Sequence, residues 1–392
     1  MKIRPEVKEI EDWLREVRRD FHKHPEPRFK ETRTAAKVAE HLRSFDLEVD
    51  TGIGGTGVVG LLRGTSPGKT FAIRADMDAL PIQEETGADY CSRTPGFMHA
   101  CGHDAHMTMA LGAARVLASS SAIQNNLTGH VKFIFQPGEE GGHGAREMIR
   151  DGVLENPKVD RIVAAHVAPL IPFGTVGIYL QEACASADAF FVKITGQGAH
   201  AAYPHLSRDP ILGGAQLITA IQSIVSRNID PSQGLVISVT QVQAGTATNV
   251  IPEEILIAGT IRALNDDVRT LAMSRLEDLV QSICQAHDLS GEITFGDGYP
   301  IMRNHEPISR FVAETAAEML GEDKVIIRQP KFGSEDFAYF LERCPGAGYE
   351  LGCSNEAKGI TNMLHTPQFD IDEDVLPLGV ELYARLIEKY FN

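Results

Sequence analysis

Four strand-length runs, VVGLL, FAIRA, VKFIF and RIVAA, are apolar from end to end, and helix-like stretches such as MTMALGAARVLASS and GAREMIRDGVLE lie among them. A strand with one wet face alternates apolar with polar residues, so runs without alternation point to a largely parallel sheet covered on both faces. Three of these runs are followed at once by residues that bind metal or move protons. FAIRA leads to Asp76 and Asp78, VKFIF to Glu139 and Glu140 in QPGEE, and RIVAA to His166. In a doubly wound sheet, ligands bind beyond the carboxyl ends of the strands. Groups far apart in sequence would therefore share one rim.

The opening carries Val7, Ile10, Trp13, Leu14 and Val17 at helical spacing, and ETRTAAKVAEHLRSF continues in the same style. From about residue 186 the texture changes to strand, helix, strand, strand, helix, strand, a compact α+β plan. After residue 298, helix ISRFVAETAAEML, strand KVIIR and helix PLGVELYARLIEKYF resume the first pattern. The expected architecture is α/β. Residues 1–185 and 299–392 form a catalytic domain with a mostly parallel sheet and helices on both faces, and residues 186–298 an inserted, smaller, ferredoxin-like lid or dimerisation domain.

Charge narrows the function. The 37 Lys+Arg against 53 Asp+Glu leave a net charge of −16 without a basic run, which would repel a phosphate backbone and argues against nucleic-acid binding. No apolar stretch approaches the ~20 residues of a membrane span, and the first residues lack the apolar core of a signal peptide. A cytoplasmic protein without membrane contact is expected. Its six cysteines are too sparse for a disulfide-stapled fold and are expected to be thiols.

The densest chemistry lies in FMHACGHDAHMTMAL, where His99, Cys101 and His103 alternate before Asp104 and His106. Thiolate with imidazole suits zinc or another late divalent metal, and Cys-x-His is not the spacing of a structural zinc finger. Asp76 and Asp78 leave one side of an extended chain, although a turn before Pro81 would use the same residues. After Gly138, one of Glu139 and Glu140 can hold a cation while the other faces a neighbouring water. A solvated acidic loop is the bland alternative. His22 and His24 either pack beside such a site or join it, whereas His41, His130, His287 and His305 read as ordinary core or surface residues. His365, in MLHTPQFD, lies late in the chain, from where it can return to the first domain's rim. Within the inserted domain, His200 and His205 stand in GQGAHAAYPH, Asn249 in GTATNVIP and Arg262 in GTIRA. Asn and Arg at strand ends can grip a carboxylate, the Arg by two parallel hydrogen bonds, with surface pairing as the alternative for Arg262. There is no GxSxG elbow and no phosphate loop; GIGGTG precedes a strand instead of following one, and His143 receives no role.

Taken in order, HKHPEPRFKET, RADMDALPIQE, MHACGHDAH, QPGEEGG, AAHV, GQGAHAAYPH, GTATNVIPEE, GTIR, GSEDFAYF and LHTPQFD resemble the amidohydrolase branch of the aminoacylase/carboxypeptidase dinuclear metallopeptidase clan. That branch includes hippurate hydrolases, auxin-conjugate hydrolases and N-acetyldiaminopimelate deacetylases, and the resemblance spans about residues 18–390. It implies two divalent metal ions, zinc or manganese with cobalt or nickel able to substitute, held by Cys101, His103, Glu140, His166 and His365. It further implies Glu139 as general base, Asp78 as the carboxylate orienting a ligand imidazole, and His200 at the substrate carbonyl, in its own or a partner subunit of a dimer. Asn249 and Arg262 would hold the substrate carboxylate; the wider clan has a His where Asp76 stands. The activity implied is hydrolysis of N-acyl amino acids by a metal-bridged hydroxide. A dipeptidase or carboxypeptidase using the same site is the alternative, and a non-catalytic metal-binding protein is disfavoured because a structural site has no use for an unligated Glu139.

Overall fold

The computed structural model describes residues 2–120 and 127–392. The chain divides into two compact units, one made of Met1–Gln181, Arg303–Gln329 and Asp336–Asn392, the other of Glu182–Met302 and Pro330–Glu335.

The first unit is built on an eight-stranded sheet. Its centre is parallel: Thr128–Gln136, Ser66–Asp76, Arg161–Pro172 and Gly346–Ser354 lie side by side in that order. Phe71, Ala72, Ile73, Arg74 and Ala75 are all buried, so both faces of the Ser66–Asp76 strand are covered, as its unbroken apolar run requires. The margins are mixed. Gly57–Arg63, which carries VVGLL, runs antiparallel to Thr128–Gln136 on one side and to Glu48–Ile53 on the other. Burial on both faces, and not strand direction, makes that run uniformly apolar.

Two details depart from the sequence reading. The RIVAA strand does not end before His166 but runs on to Pro172, so His166 projects from within a strand. Gly346–Ser354, a central strand, has no recognisable apolar run. A Cβ at Gly346 would lie 2.3 Å from the Ile162 carbonyl and one at Gly352 2.0 Å from that of Pro172, so close backbone approach there demands residues that weaken a strand signal.

Helices Glu11–Lys23, Thr32–Ser44, His103–Ser119, Glu306–Leu320 and Val375–Phe391 pack on this sheet around a core that includes Leu14, Phe71, Leu111, Phe133 and Leu382. A break at Glu9 and Ile10 splits the opening pattern into a short turn of helix, Pro5–Lys8, and the helix Glu11–Lys23.

The second unit has a four-stranded antiparallel sheet in the order Leu235–Ala244, Glu254–Ala263, Asp188–Thr195, Ser290–Phe295. Helices Pro210–Ser223 and Asp266–Ala286 are N-capped by the side chains of Asp209 and Asn265 and close over Phe190, Ile194, Leu217, Ile257 and Leu276. A further short ladder joins Ala199–His200 to Val250–Ile251. No described helix is long and apolar enough to cross a membrane.

Candidate metal centre

The helix His103–Ser119 starts at the carboxyl end of the parallel strands. Its N-cap, Gly102, has φ +84°, and a Cβ there would sit 2.3 Å from Val167 Cγ2, so only glycine lets the chain turn this close to the Arg161–Pro172 strand. The turn sets Cys101 and His103 beside His166, and Cys101 Sγ lies 3.5 Å from His166 Nε2. From the other end of the sequence, the His365 N–H donates to the Ala100 carbonyl at 2.8 Å, which ties the late loop to this rim. His365 has φ +61°, a left-handed conformation that a non-glycine residue adopts only when its surroundings enforce it. Its Nε2 is 3.2 Å from Glu140 Oε1.

Donor atoms therefore converge. Cys101, His103 and His166 each offer one within 4.8 Å of the other two, and so do Cys101, Glu140 and His365, and His103, Glu139 and Glu140. The five ligand candidates and the base candidate, Glu139, meet at one end of the sheet.

The electrostatics favour positive charge there. Burial opposes protonation of His103, but Asp76, Asp78 and Cys101 hold its pKa well above the ordinary value. Hydrogen bonds with Cys101 and Glu140 lift His365 to about 10. Burial, with Glu140 beside it, raises the Cys101 thiol. His103 Nε2 is buried with no hydrogen-bond partner among the described residues, while its Nδ1 is 2.8 Å from the Asp78 carbonyl, which fixes the ring. A buried imidazole nitrogen that makes no hydrogen bond and has Asp76 Oδ2 at 3.7 Å, set among a thiol, carboxylates and further imidazoles, belongs to a donor set that fits late divalent cations.

Around the donors lies a shell of which the resemblance implied only Asp78, as a carboxylate that orients a ligand imidazole. Asp78 carries two duties: its carbonyl accepts from His103, and its carboxylate accepts the N–H groups of Glu139 and Glu140, each at 2.9 Å. Asp76 lies 2.7 Å from both His106 Nδ1 and Arg74 Nη1. Because His106 Nε2 accepts the Val167 N–H at 2.9 Å, its proton sits on Nδ1 and both nitrogens are spent on the fold. His22 meets Asp104 at 2.7 Å and Glu84 at 3.2 Å, and His24 Nδ1 donates to the Asp20 carbonyl at 2.8 Å. His143 Nδ1 stands 3.2 Å from the Tyr339 hydroxyl. The residue types of Arg74, His106 and Asp336 were visible, but only three-dimensional pairing assigns them work.

The second unit carries the remaining candidates. His200 is exposed; its Nδ1 accepts the Ala202 N–H at 3.1 Å, which leaves the proton on Nε2. Asn249 is exposed, and its carbonyl accepts the Ala201 N–H. Arg262 donates to Ser334 Oγ at 3.0 Å, and among the described residues it forms no ion pair; burial lowers its pKa, with Asp188 acting in opposition. His205 is exposed, and all six cysteines are free thiols.

A parallel-centred α/β unit with a thiol, imidazoles and carboxylates at the carboxyl ends of its strands defines a metal-dependent hydrolase of amide bonds. The family model described as Peptidase family M20/M25/M40 matches residues 72–389, and the chain belongs to that family. It is similar to thermostable carboxypeptidase 2 of Saccharolobus solfataricus, 40% identical over 100% of this chain and 98% of the relative. It is likewise similar to the hippurate hydrolase of Campylobacter jejuni, 36% identical with 100% of each chain covered. Among solved structures, the Bacillus subtilis YXEP protein, a dinuclear metal binding peptidase from the M20 family, superposes with TM-score 0.85 at 32% identity, covering 98% of this chain and 99% of that one.

Proposed function

We propose that this protein hydrolyses the amide bond of N-acyl amino acids, releasing a carboxylic acid and an amino acid. The observation that carries the reading is the meeting of Cys101, His103, Glu140, His166 and His365 beside an additional carboxylate, Glu139, at one sheet end. The two overlapping donor groups that share Cys101 fit two cations, for which zinc or manganese are the leading candidates, with cobalt or nickel as substitutes. Bound metal supplies Lewis acidity at the carbonyl and lowers the pKa of water. Glu139, held by the hydrogen bond from its own N–H to Asp78, takes the proton of the attacking water and returns it to the departing amine, which could not leave as an anion. His200 offers its Nε2–H to the carbonyl oxygen, in its own or a partner subunit, where it would stabilise the developing oxyanion. Arg262, half-buried and without a carboxylate of its own, together with Asn249, takes the substrate carboxylate.

A second reading, removal of the last residue of a dipeptide or short peptide, is favoured by the 40% identity to a carboxypeptidase. Both substrates end in a free carboxylate and differ in whether the acyl side carries a charged amine. On the same footing we propose a homodimer or higher homo-oligomer, for which the sheet-edge strand Leu235–Ala244 has unpaired backbone, and a reducing cytoplasm, in keeping with free thiols.

The decisive experiment pairs Glu139→Gln with a substrate panel. The variant is expected to bind metal at the wild-type ratio and to lose at least about 100-fold in kcat, the scale of a general base. N-acetyl and N-benzoyl amino acids are expected to turn over faster than dipeptides, and their carboxamides more slowly than the acids. Turnover by Glu139→Gln would remove the base, and preference for dipeptides would transfer the conclusion to the second reading.

A further inference from the structure

The loop that carries Glu139 and Glu140 is held by its backbone. Gly138, at φ +60°, turns the chain so that consecutive N–H groups face buried carboxylates, the geometry of an anion-binding nest. Asp78 accepts the second and third of these N–H groups, from Glu139 and Glu140. The first, from Gly138, goes to Glu31 Oε1 at 3.0 Å, and Glu31 Oε2 accepts the Thr56 hydroxyl at 2.5 Å. Glu31 is fully buried at the N-cap of the helix Thr32–Ser44 and has no cationic partner among the described residues. Thr56 belongs to GIGGTG, whose place in the molecule this contact explains: a Cβ on Gly57 would meet Pro137 Cδ at 3.1 Å, and the Gly54 N–H donates to Asp151 at 2.8 Å. Gly57 lets the β-hairpin press against the QPGEE loop, and Gly54 lets it press against Met148, where side chains would push it away.

We propose that Glu31 is a positioning residue for the reaction: by holding the Gly138 N–H, and being held by Thr56, it sets the backbone from which the next residue, Glu139, reaches the water. The proposal rests on the reading of Glu139 as base. A hydrogen bond to a buried carboxylate is stronger than one between neutral groups, and an error of about 1 Å in placing a catalytic group costs on the order of 100-fold in rate. A carboxylate that holds the residue before the base is thus worth far more to kcat than to substrate binding.

The test compares Glu31→Ala, Glu31→Gln and Thr56→Val by kinetics, by metal content, and by amide hydrogen exchange of the peptide covering residues 136–145 in metal-free protein. Glu31→Ala is expected to speed exchange in that peptide at least tenfold with the rest of the chain unchanged. It should also lower kcat by roughly 10–100-fold while KM stays within twofold and metal content is preserved. Glu31→Gln is expected to restore both readouts to within about threefold, because its amide oxygen still accepts the Gly138 N–H. Should Glu31→Ala fail to fold, Thr56→Val, which removes one bond and keeps the shape, is expected to shift both readouts severalfold. Wild-type exchange in Glu31→Ala, wild-type values for both readouts in Thr56→Val, or a Glu31→Gln protein as impaired as Glu31→Ala would overturn the proposal. If Glu139→Gln retains turnover while Glu31→Ala still frees the loop, the base assignment fails and the hold of Glu31 on the loop stands.

Discussion

Arg74 is buried, and its partners include Gln136 Oε1 at 2.8 Å, Asp76 Oδ2 at 2.7 Å and Asp336 Oδ1 at 3.1 Å. Asp336 in turn accepts the Gln136 amide at 2.7 Å and the Ala145 N–H at 3.0 Å, so a single cation neutralises the carboxylates beneath the rim and anchors the loop after Glu140. Replacing it by Met takes the guanidinium away from two buried carboxylates, leaving Asp76 to His106 and His103 and Asp336 to the Gln136 amide and the Ala145 N–H. We expect Arg74→Met to lose about 3–5 kcal/mol of stability, the cost of breaking a buried pair from one side. Urea denaturation of the metal-free protein measures this, and a change under about 1 kcal/mol would mean that solvent reaches the cluster. At this scale the sequence was legible by residue type. Cysteine, histidine and glutamate stand out because few other side chains bind soft divalent metals. Arg74 and Glu31 did not stand out, since their partners, Asp336 and Gly138, lie 262 and 107 positions away and no local pattern links them.

Between elements, the charged seam of the helices Glu11–Lys23 and His103–Ser119 decides how the catalytic rim is supported. Arg18 and His22 of the first helix meet Asp104 of the second at 2.8 and 2.7 Å, and His22 also faces Glu84. Burial and the Arg18 charge work against protonation of His22, but Asp104 and Glu84 prevail and raise its pKa above 6.5. Burial likewise opposes ionisation of Glu84, yet its bonds with His22, Thr86 and the Ser92 N–H bring it from 4.5 down to about 2. The signs follow from linkage. The His22 contribution is complete below pH 6.5 and is lost as pH rises through the raised value, whereas that of Glu84 is complete above pH 4.5 and is lost as pH falls toward 2. We expect the urea midpoint of metal-free protein to decline on the alkaline side of 6.5, and His22→Gln to flatten that decline relative to wild type. Equal slopes in the two proteins would show that His22 is not charged in the fold. The helices themselves were readable from periodicity. The strand Gly346–Ser354 was not, because glycines that permit close packing erase the apolar signature by which a strand is recognised.

On the scale of the chain, the proposed metal donors all belong to one of the two compact units, yet they come from segments at Cys101–His103, Glu140, His166 and His365. The other unit has its own core around Phe190, Leu217, Ile257 and Leu276 and contributes none of these five donors. A cation that binds only the folded site stabilises the unit that contains it by mass action, by about 2.7 kcal/mol at a hundredfold excess over Kd. It does nothing for a unit that holds none of these five donors except through whatever coupling joins the two. His365 supplies the sharpest lever, since its own N–H bonds to the Ala100 carbonyl and its ring meets both Cys101 and Glu140. We therefore expect calorimetry of the metal-loaded protein after chelation to move one transition down by roughly 5–10 °C, in proportion to the lost binding energy, and to leave a second near its place. Restoring zinc or manganese should reverse the shift, and His365→Ala should start from the lowered value and respond less to metal. A single transition that moves as a whole on chelation would show instead that the two units unfold together, and one indifferent to chelation would remove the metal from the donor set altogether.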